Sequence, residues 1–181
     1  MERAPHEESL IEIRALTEGD AGKWWQLRLE SLQGDPLAFG RTVDEHVATP
    51  VSVIEARLRD TATGNFTLGA WQGESLVGMA TFVRETAPMT RHRGHVYGVY
   101  LAPMARGRGA GRALIQTLLN RAFEDRSLEQ IVLGVSDTQE AAKNLYRSLG
   151  FRTWGIEPAA RKLGNRELAE EHMILARLRP L

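Results

Sequence analysis

The chain has 181 residues, no cysteine, and 23 basic against 23 acidic side chains. Zero formal charge argues against a general binder of nucleic acid or of a membrane surface, and the absence of thiols excludes disulfides, thiolate metal sites and a cysteine acyl-enzyme. An apolar content of 43% is enough for a buried core; no metal is expected, and the polar, acidic start carries no secretory signal, so cytoplasm is the default expectation.

Residues 1–9 read as a polar leader and residues 10–181 as a single domain. Residues 11–16 alternate apolar and polar, which predicts a first strand through Ile11, Ile13 and Ala15. Asp20 is placed to cap a helix running to about Leu32, with Trp25, Leu29 and Leu32 on one core-facing stripe. Gly34, Asp35 and Pro36 end that helix. A second helical region covers residues 43–59, interrupted near Pro50.

The period then changes from helical to alternating. Phe66, Leu68 and Ala70 alternate up to Trp71, Gly73-Glu74 turns, and residues 76–83 return as the second arm of a hairpin. Residues 84–94 are polar and read as a loop in which His92, between Arg91 and Arg93, is solvated. Residues 95–102 form the next strand, 110–123 a helix, 131–135 a short buried strand, and 139–149 a helix closed by Gly150. Residues 151–156 and 168–177 complete the chain as two strands. This order predicts an α+β fold whose mixed sheet carries helices on both faces.

The densest chemical signal is VYLAPMARGRGAGRAL, residues 99–114. A strand ends at Pro103, Gly107, Gly109 and Gly111 follow, and a helix begins near Ala110. The first amides of a helix lack internal partners and sit at the positive end of its dipole, so a bare backbone there binds anions. Arg106, Arg108 and Arg112 add charge around it. The segment lacks the Gly-Lys-Ser/Thr ending of a P-loop, and Arg112 stands where a dinucleotide fingerprint needs its third glycine. The pattern Arg106-x-x-Gly109-x-Gly111 instead resembles motif A of the GNAT superfamily of N-acetyltransferases, whose loop holds the pyrophosphate of acetyl-CoA.

A second segment supports the same resemblance. AAKNLYRSLGF, residues 141–151, is similar to the family pattern through Ala142, Leu145, Tyr146, Gly150 and Phe151, with Gln139 where asparagine is usual. Helical spacing puts Gln139, Ala142, Lys143 and Tyr146 on one face and Asn144 nearly opposite. The resemblance covers nearly the whole chain, least clearly residues 41–64. It implies the GNAT fold, a mostly antiparallel sheet of about seven strands.

The resemblance also implies roles. Val99, Tyr100 and Leu101 pair through their backbone with the pantetheine arm of acetyl-CoA, and a backbone amide near Val99 or Tyr100 stabilises the thioester carbonyl. Gly107, Arg108, Gly109, Ala110, Gly111 and Arg112 hold the phosphates with Arg106, and Lys143 assists. Tyr146 protonates the departing thiolate, and His95 stands on the strand where relatives often carry a glutamate base. A histidine suits that task because it titrates near neutrality. Tyr97 shares its strand face, relays a proton through water and borders the acceptor pocket. The helix bearing Trp24, Trp25, Leu27 and Arg28, with the loop holding Phe39 and Gly40, lies where the family shapes its acceptor pocket.

The implied reaction is direct acetyl transfer from acetyl-CoA, as co-substrate, to an amine of a small molecule or peptide, with no nucleic-acid or membrane partner. A homodimer is left open. The competing reading is a non-catalytic acyl-CoA-binding or sensing domain that keeps the glycine loop, and Tyr146 favours the enzyme.

Overall fold

A computed structural model of the protein describes residues 10–60 and 64–177; the expected leader, residues 1–9, lies outside them. In chain order the elements are β1 (Ile11–Ala15), α1 (Ala21–Gly34), α2 (Val43–Val47), α3 (Val51–Arg59), β2 (Phe66–Gln72) and β3 (Ser75–Arg84). They continue as β4 (Arg93–Leu101), α4 (Ala110–Ala122), β5 (Gln130–Ser136), α5 (Glu140–Ser148), β6 (Arg152–Leu163) and β7 (Arg166–Ala176). The strands form one seven-stranded sheet in the order β1-β2-β3-β4-β5-β7-β6. Among the described residues only the β4–β5 pairing is parallel. This is the predicted α+β architecture, and among the described residues no helix is long and apolar enough to cross a membrane.

The two faces of the sheet bury different helices. On β3, Ala80 and Phe82 alternate with Val77 and Met79, so the pairs point to opposite sides. Ala80 and Phe82 pack with Leu114, Leu118 and Tyr146 from α4 and α5. Val77 and Met79 pack with Leu27, Ile54 and Leu58 from α1 and α3. Pro50 separates α2 from α3 by serving as the N-cap of α3, where its missing amide hydrogen costs nothing.

Three local expectations change. Asp20 stands at the start of α1 but caps no helix amide with its side chain. Both carboxylate oxygens instead meet the Arg14 guanidinium, and Oδ2 also accepts from the Thr17 amide. The inward side of α1 holds Ala21, Leu27, Ser31 and Leu32 rather than the Trp25–Leu29–Leu32 stripe. Trp25 is half-buried, its ring 4.8 Å from His46 and tilted 30° to it, with its indole N–H donating to the Thr49 carbonyl. Finally, β6 runs to Leu163 rather than Ile156. Its register with β7 shifts between Glu157 and Arg161, around Pro158, which lacks an amide hydrogen for the ladder. That interruption hides the second half of the strand from a pattern of alternation.

Candidate active site

The site begins where two parallel strands part. β4 and β5 pair only at Arg93–Gln130, Gly94–Ile131 and His95–Val132, although both strands continue. Beyond His95 the β5-facing edge of β4 therefore carries unpaired backbone groups. On its other edge, Met79 pairs with Tyr100 and Thr81 with Tyr97, so β4 holds one more residue than β3 over this stretch. The extra residue is accommodated at Gly98, whose φ of +60° is a left-handed value that side chains disfavour. A bulge at this place re-aims the backbone of Val99, Tyr100 and Leu101.

The strand leads through a short 3-10 turn, Pro103–Ala105, into the glycine loop. Arg106 turns back, its Nε donating to the Leu101 carbonyl at 2.9 Å and its guanidinium 5.7 Å from the Tyr100 ring. Gly107 and Gly109 have φ of +76° and +79°, and a Cβ on either would meet no protein atom within 4 Å. The loop thus requires glycine by conformation, and the space above it is open. Gly109 is the N-cap of α4 and supplies no side-chain cap, so the first-turn amides of Ala110, Gly111 and Arg112 are left for another acceptor. An extended ligand with amide groups along one part and a pyrophosphate at the other fits this edge and this helix start.

Not every residue of the predicted set faces that space. Gly111 differs from its neighbours, since a Cβ there would touch Leu145 at 3.5 Å and so faces α5. Arg112 Nη1 donates to Ser148 Oγ at 2.8 Å and ties α4 to α5. Arg108 is exposed. Lys143 is buried, donates to the Asp137 carbonyl at 3.0 Å, and ion-pairs with Glu140 and Glu171. Its ammonium is engaged inside the protein and turned away from a phosphate role. Gln139 Nε2 donates to Asp35 Oδ2 at 2.8 Å, joining the start of α5 to the loop after α1.

Tyr146 and Ala142 share the inner face of α5. The Tyr146 ring is buried edge-on to Phe151 at 5.8 Å. Its hydroxyl makes no hydrogen bond with a described residue, and burial pushes the phenol well above its usual value. The hydroxyl is thus protonated and uncommitted, and its upward shift means that it gives up the proton only as negative charge builds beside it.

On β4, the His95 and Tyr97 rings stack at 5.5 Å, 5° from parallel. His95 Nε2 is 2.7 Å from Glu85 Oε1, and this contact holds the Glu85 carboxyl below its usual range. With Nε2–H donating to the carboxylate, Nδ1 keeps its lone pair and accepts protons. His95 stands at the closed end of the fork, about 13 Å in strand length from Val99, with Tyr97 between them. Burial raises the Tyr97 phenol, with smaller effects from Glu85 and Glu170. Glu85 was hidden within a stretch that reads only as polar loop, since its partnership crosses a hairpin.

The expected acceptor residues fall into two neighbouring hollows. Tyr97 lines a pocket of about 400 Å³ between α1, α3 and the sheet, with Gly98, Thr67 and Thr81. Phe39 and Gly40 line a second hollow of about 290 Å³, closed by Arg161 and Leu163 of β6. Arg41 borders both. The Phe39 ring lies edge-on to Tyr100 at 6.3 Å. Tyr100 itself is buried, donates to Glu30 Oε1 at 2.9 Å, and is pushed up to about 12 by burial and by that carboxylate.

Comparison with known proteins accords with this geometry. The sequence model of the Acetyltransferase (GNAT) family matches residues 22–151. The chain is 32% identical over 151 residues to the N-alpha-acetyltransferase RimI of Mycobacterium tuberculosis, covering 81% of each chain. It is 43% identical over 70 residues to the mycothiol acetyltransferase of Thermobispora bispora, a match to 38% of this chain and only 23% of that protein. Among solved structures, a GNAT-family acetyltransferase from Streptococcus pneumoniae superposes with a TM-score of 0.84 at 20% identity, over 92% of this chain and 99% of that one. A putative acetyltransferase from Salmonella typhimurium, solved with its cofactor acetyl-CoA, gives 0.76 at 24% identity over 95% and 98%.

Proposed function

The chain belongs to the acetyltransferase (GNAT) family, and from that premise we propose that it transfers an acetyl group from acetyl-CoA to a primary amine by direct attack in a ternary complex. One observation carries the reading. The unpaired edge of β4 beyond His95 continues through an open glycine loop into the uncapped amides of α4, beside an uncommitted tyrosine hydroxyl. The edge takes the pantetheine arm as an added strand, and the α4 amides with Arg106 and Arg108 take the pyrophosphate. Acetyl-CoA supplies the activated thioester.

The chain's own groups account for each proton. A backbone amide of the bulged segment near Val99 or Tyr100 hydrogen-bonds the carbonyl oxygen as charge develops on it. The amine nitrogen forms its bond to the carbonyl carbon as the carbon–sulfur bond breaks, and the thiolate takes its proton from Tyr146. The ammonium gives up two protons. The first leaves toward Tyr97 and reaches His95, which Glu85 orients, and this frees the lone pair for attack. The second leaves the nitrogen once the carbon–nitrogen bond has formed and restores the Tyr146 phenol. No cysteine is available for an acyl-enzyme, which supports the direct route.

The family's named activities support an amine acceptor. The Mycobacterium relative is an N-alpha-acetyltransferase by name, and a structural neighbour from Brucella melitensis is a ribosomal-protein-alanine N-acetyltransferase. The test is release of free thiol from acetyl-CoA across a panel of amines. Amine-dependent release supports the enzyme. A rise in melting temperature with acetyl-CoA and no release with any amine supports the binding-domain reading instead.

A further inference from the structure

The 400 Å³ pocket beside Tyr97 is strongly biased in charge. Arg28, Arg41, Arg57 and Arg121 line it, and among the described residues Asp60 is its only carboxylate. Arg28 is the informative member. It projects from α1, its Nη1 is buried without a hydrogen-bond partner, and it joins no ion pair among the described residues. Its guanidinium carbon lies 4.3 Å from the centre of the Phe39 ring, which supports the cation from that side. Burial, together with the nearby Arg41 charge, pulls the guanidinium down to about 10. A buried cation without a counter-charge is costly unless an anion arrives to answer it.

The rest of the pocket limits what that anion belongs to. Trp24, Ile54, Leu58, Phe66 and Val83 give it apolar walls, and Tyr97 and Gly98 connect it to the bulge of β4. Its volume of about 400 Å³ lies at the lower end for small-ligand sites. His46, also at its wall, donates from Nε2 to the Trp25 carbonyl at 2.9 Å and brings no charge that would compete, since burial lowers its basicity.

We propose that the acceptor is a small amine that also bears a carboxylate, an amino acid with an apolar side chain, and that Arg28 binds the carboxylate while the amine points toward Tyr97. The planar guanidinium fork matches a carboxylate with two parallel hydrogen bonds, which a lysine cannot reproduce. The inference rests on the reading of this site as an acetyl acceptor site, and it narrows the substrate class.

Calorimetric titration decides it without requiring turnover. The probes are L-leucine with L-leucinamide and L-phenylalanine with L-phenylalaninamide, added to the protein saturated with CoA. Each acid should bind about tenfold to a hundredfold more tightly than its amide, the difference a charged hydrogen-bonded pair makes. Arg28→Gln should bring that ratio close to one, and Arg28→Lys should recover only part of it, with melting curves reporting that each variant is folded. Equal binding of acid and amide, an unchanged ratio in Arg28→Gln, or no binding of either pair overturns the proposal. Thiol release is read alongside: selective binding of the acids without release keeps the carboxylate site and counts against acetyl transfer alone.

Discussion

His95 Nε2 lies 2.7 Å from Glu85 Oε1, so a carboxylate just past the end of β3 holds the imidazole of β4 in one orientation. The stacked Tyr97 ring fixes it from the side facing the site. If this group receives the proton of the attacking ammonium, His95→Gln should remove the acid limb of the kcat/KM profile for a strongly basic amine. Glu85→Gln should lower kcat by about tenfold while leaving the KM for acetyl-CoA unchanged, because it loosens the imidazole and touches no ligand. An acid limb that survives in His95→Gln would assign the limb to the substrate's own ionisation.

Tyr146→Phe removes one hydroxyl from a ring that is packed on Phe151. Loss of the proton donor should lower kcat by about 10²–10⁴ with little change in KM for acetyl-CoA. Burial raises the phenol, so it stays protonated well past neutrality and the wild-type rate should show no alkaline fall from this group below about pH 9. Steady-state rates across pH for both proteins check this.

The glycines of the loop separate by conformation. Gly109 has a φ of +79° with open space above it, whereas Gly111 sits in the helix with ordinary contact distance to Leu145. Gly109→Val should weaken CoA binding at least tenfold, and Gly111→Ala should be tolerated. Arg106→Ala should cost less than Gly109→Val, since its guanidinium adds charge to a site that the backbone amides already make. Calorimetric CoA affinities for the three variants rank the effects.

Asp20 gives a stability prediction whose sign is fixed. The Arg14 guanidinium, aided by Thr17, holds its carboxyl at about 2, below the ordinary carboxylate value. A lowered folded-state value contributes stability that is fully present above the unfolded value of about 3.9, and that is lost as pH falls toward 2. The melting temperature of Asp20→Asn should therefore be lower than wild type at pH 7 and converge with it near pH 2.

The sequence carries the glycine loop, the tyrosine of α5 and the order of strands because each depends on local rules: left-handed φ, helical spacing and alternation. What it conceals is contact across distance. Glu85 meets His95 over a hairpin, and Gln139 meets Asp35 across 104 positions. Lys143 has the helical spacing of a ligand-facing residue, yet Glu140, Glu171 and the Asp137 carbonyl claim its ammonium. Spacing assigns a side chain to a face; only packing decides which neighbour it answers. The same holds for Arg28, placed on the acceptor side by resemblance, whose unpaired nitrogen emerges only when α1 and the sheet enclose it.

The central claim is direct transfer from acetyl-CoA to an amine, and isotopically labelled acetyl-CoA tests it most directly. Incubated without amine, the protein should acquire no covalent acetyl label. With amine added, label should appear in a product heavier by one acetyl group, and initial rates should give intersecting lines as both substrates vary. Stable labelling of the protein with parallel lines would contradict direct attack. Acetyl-CoA binding with no labelled product from any amine would contradict catalysis itself.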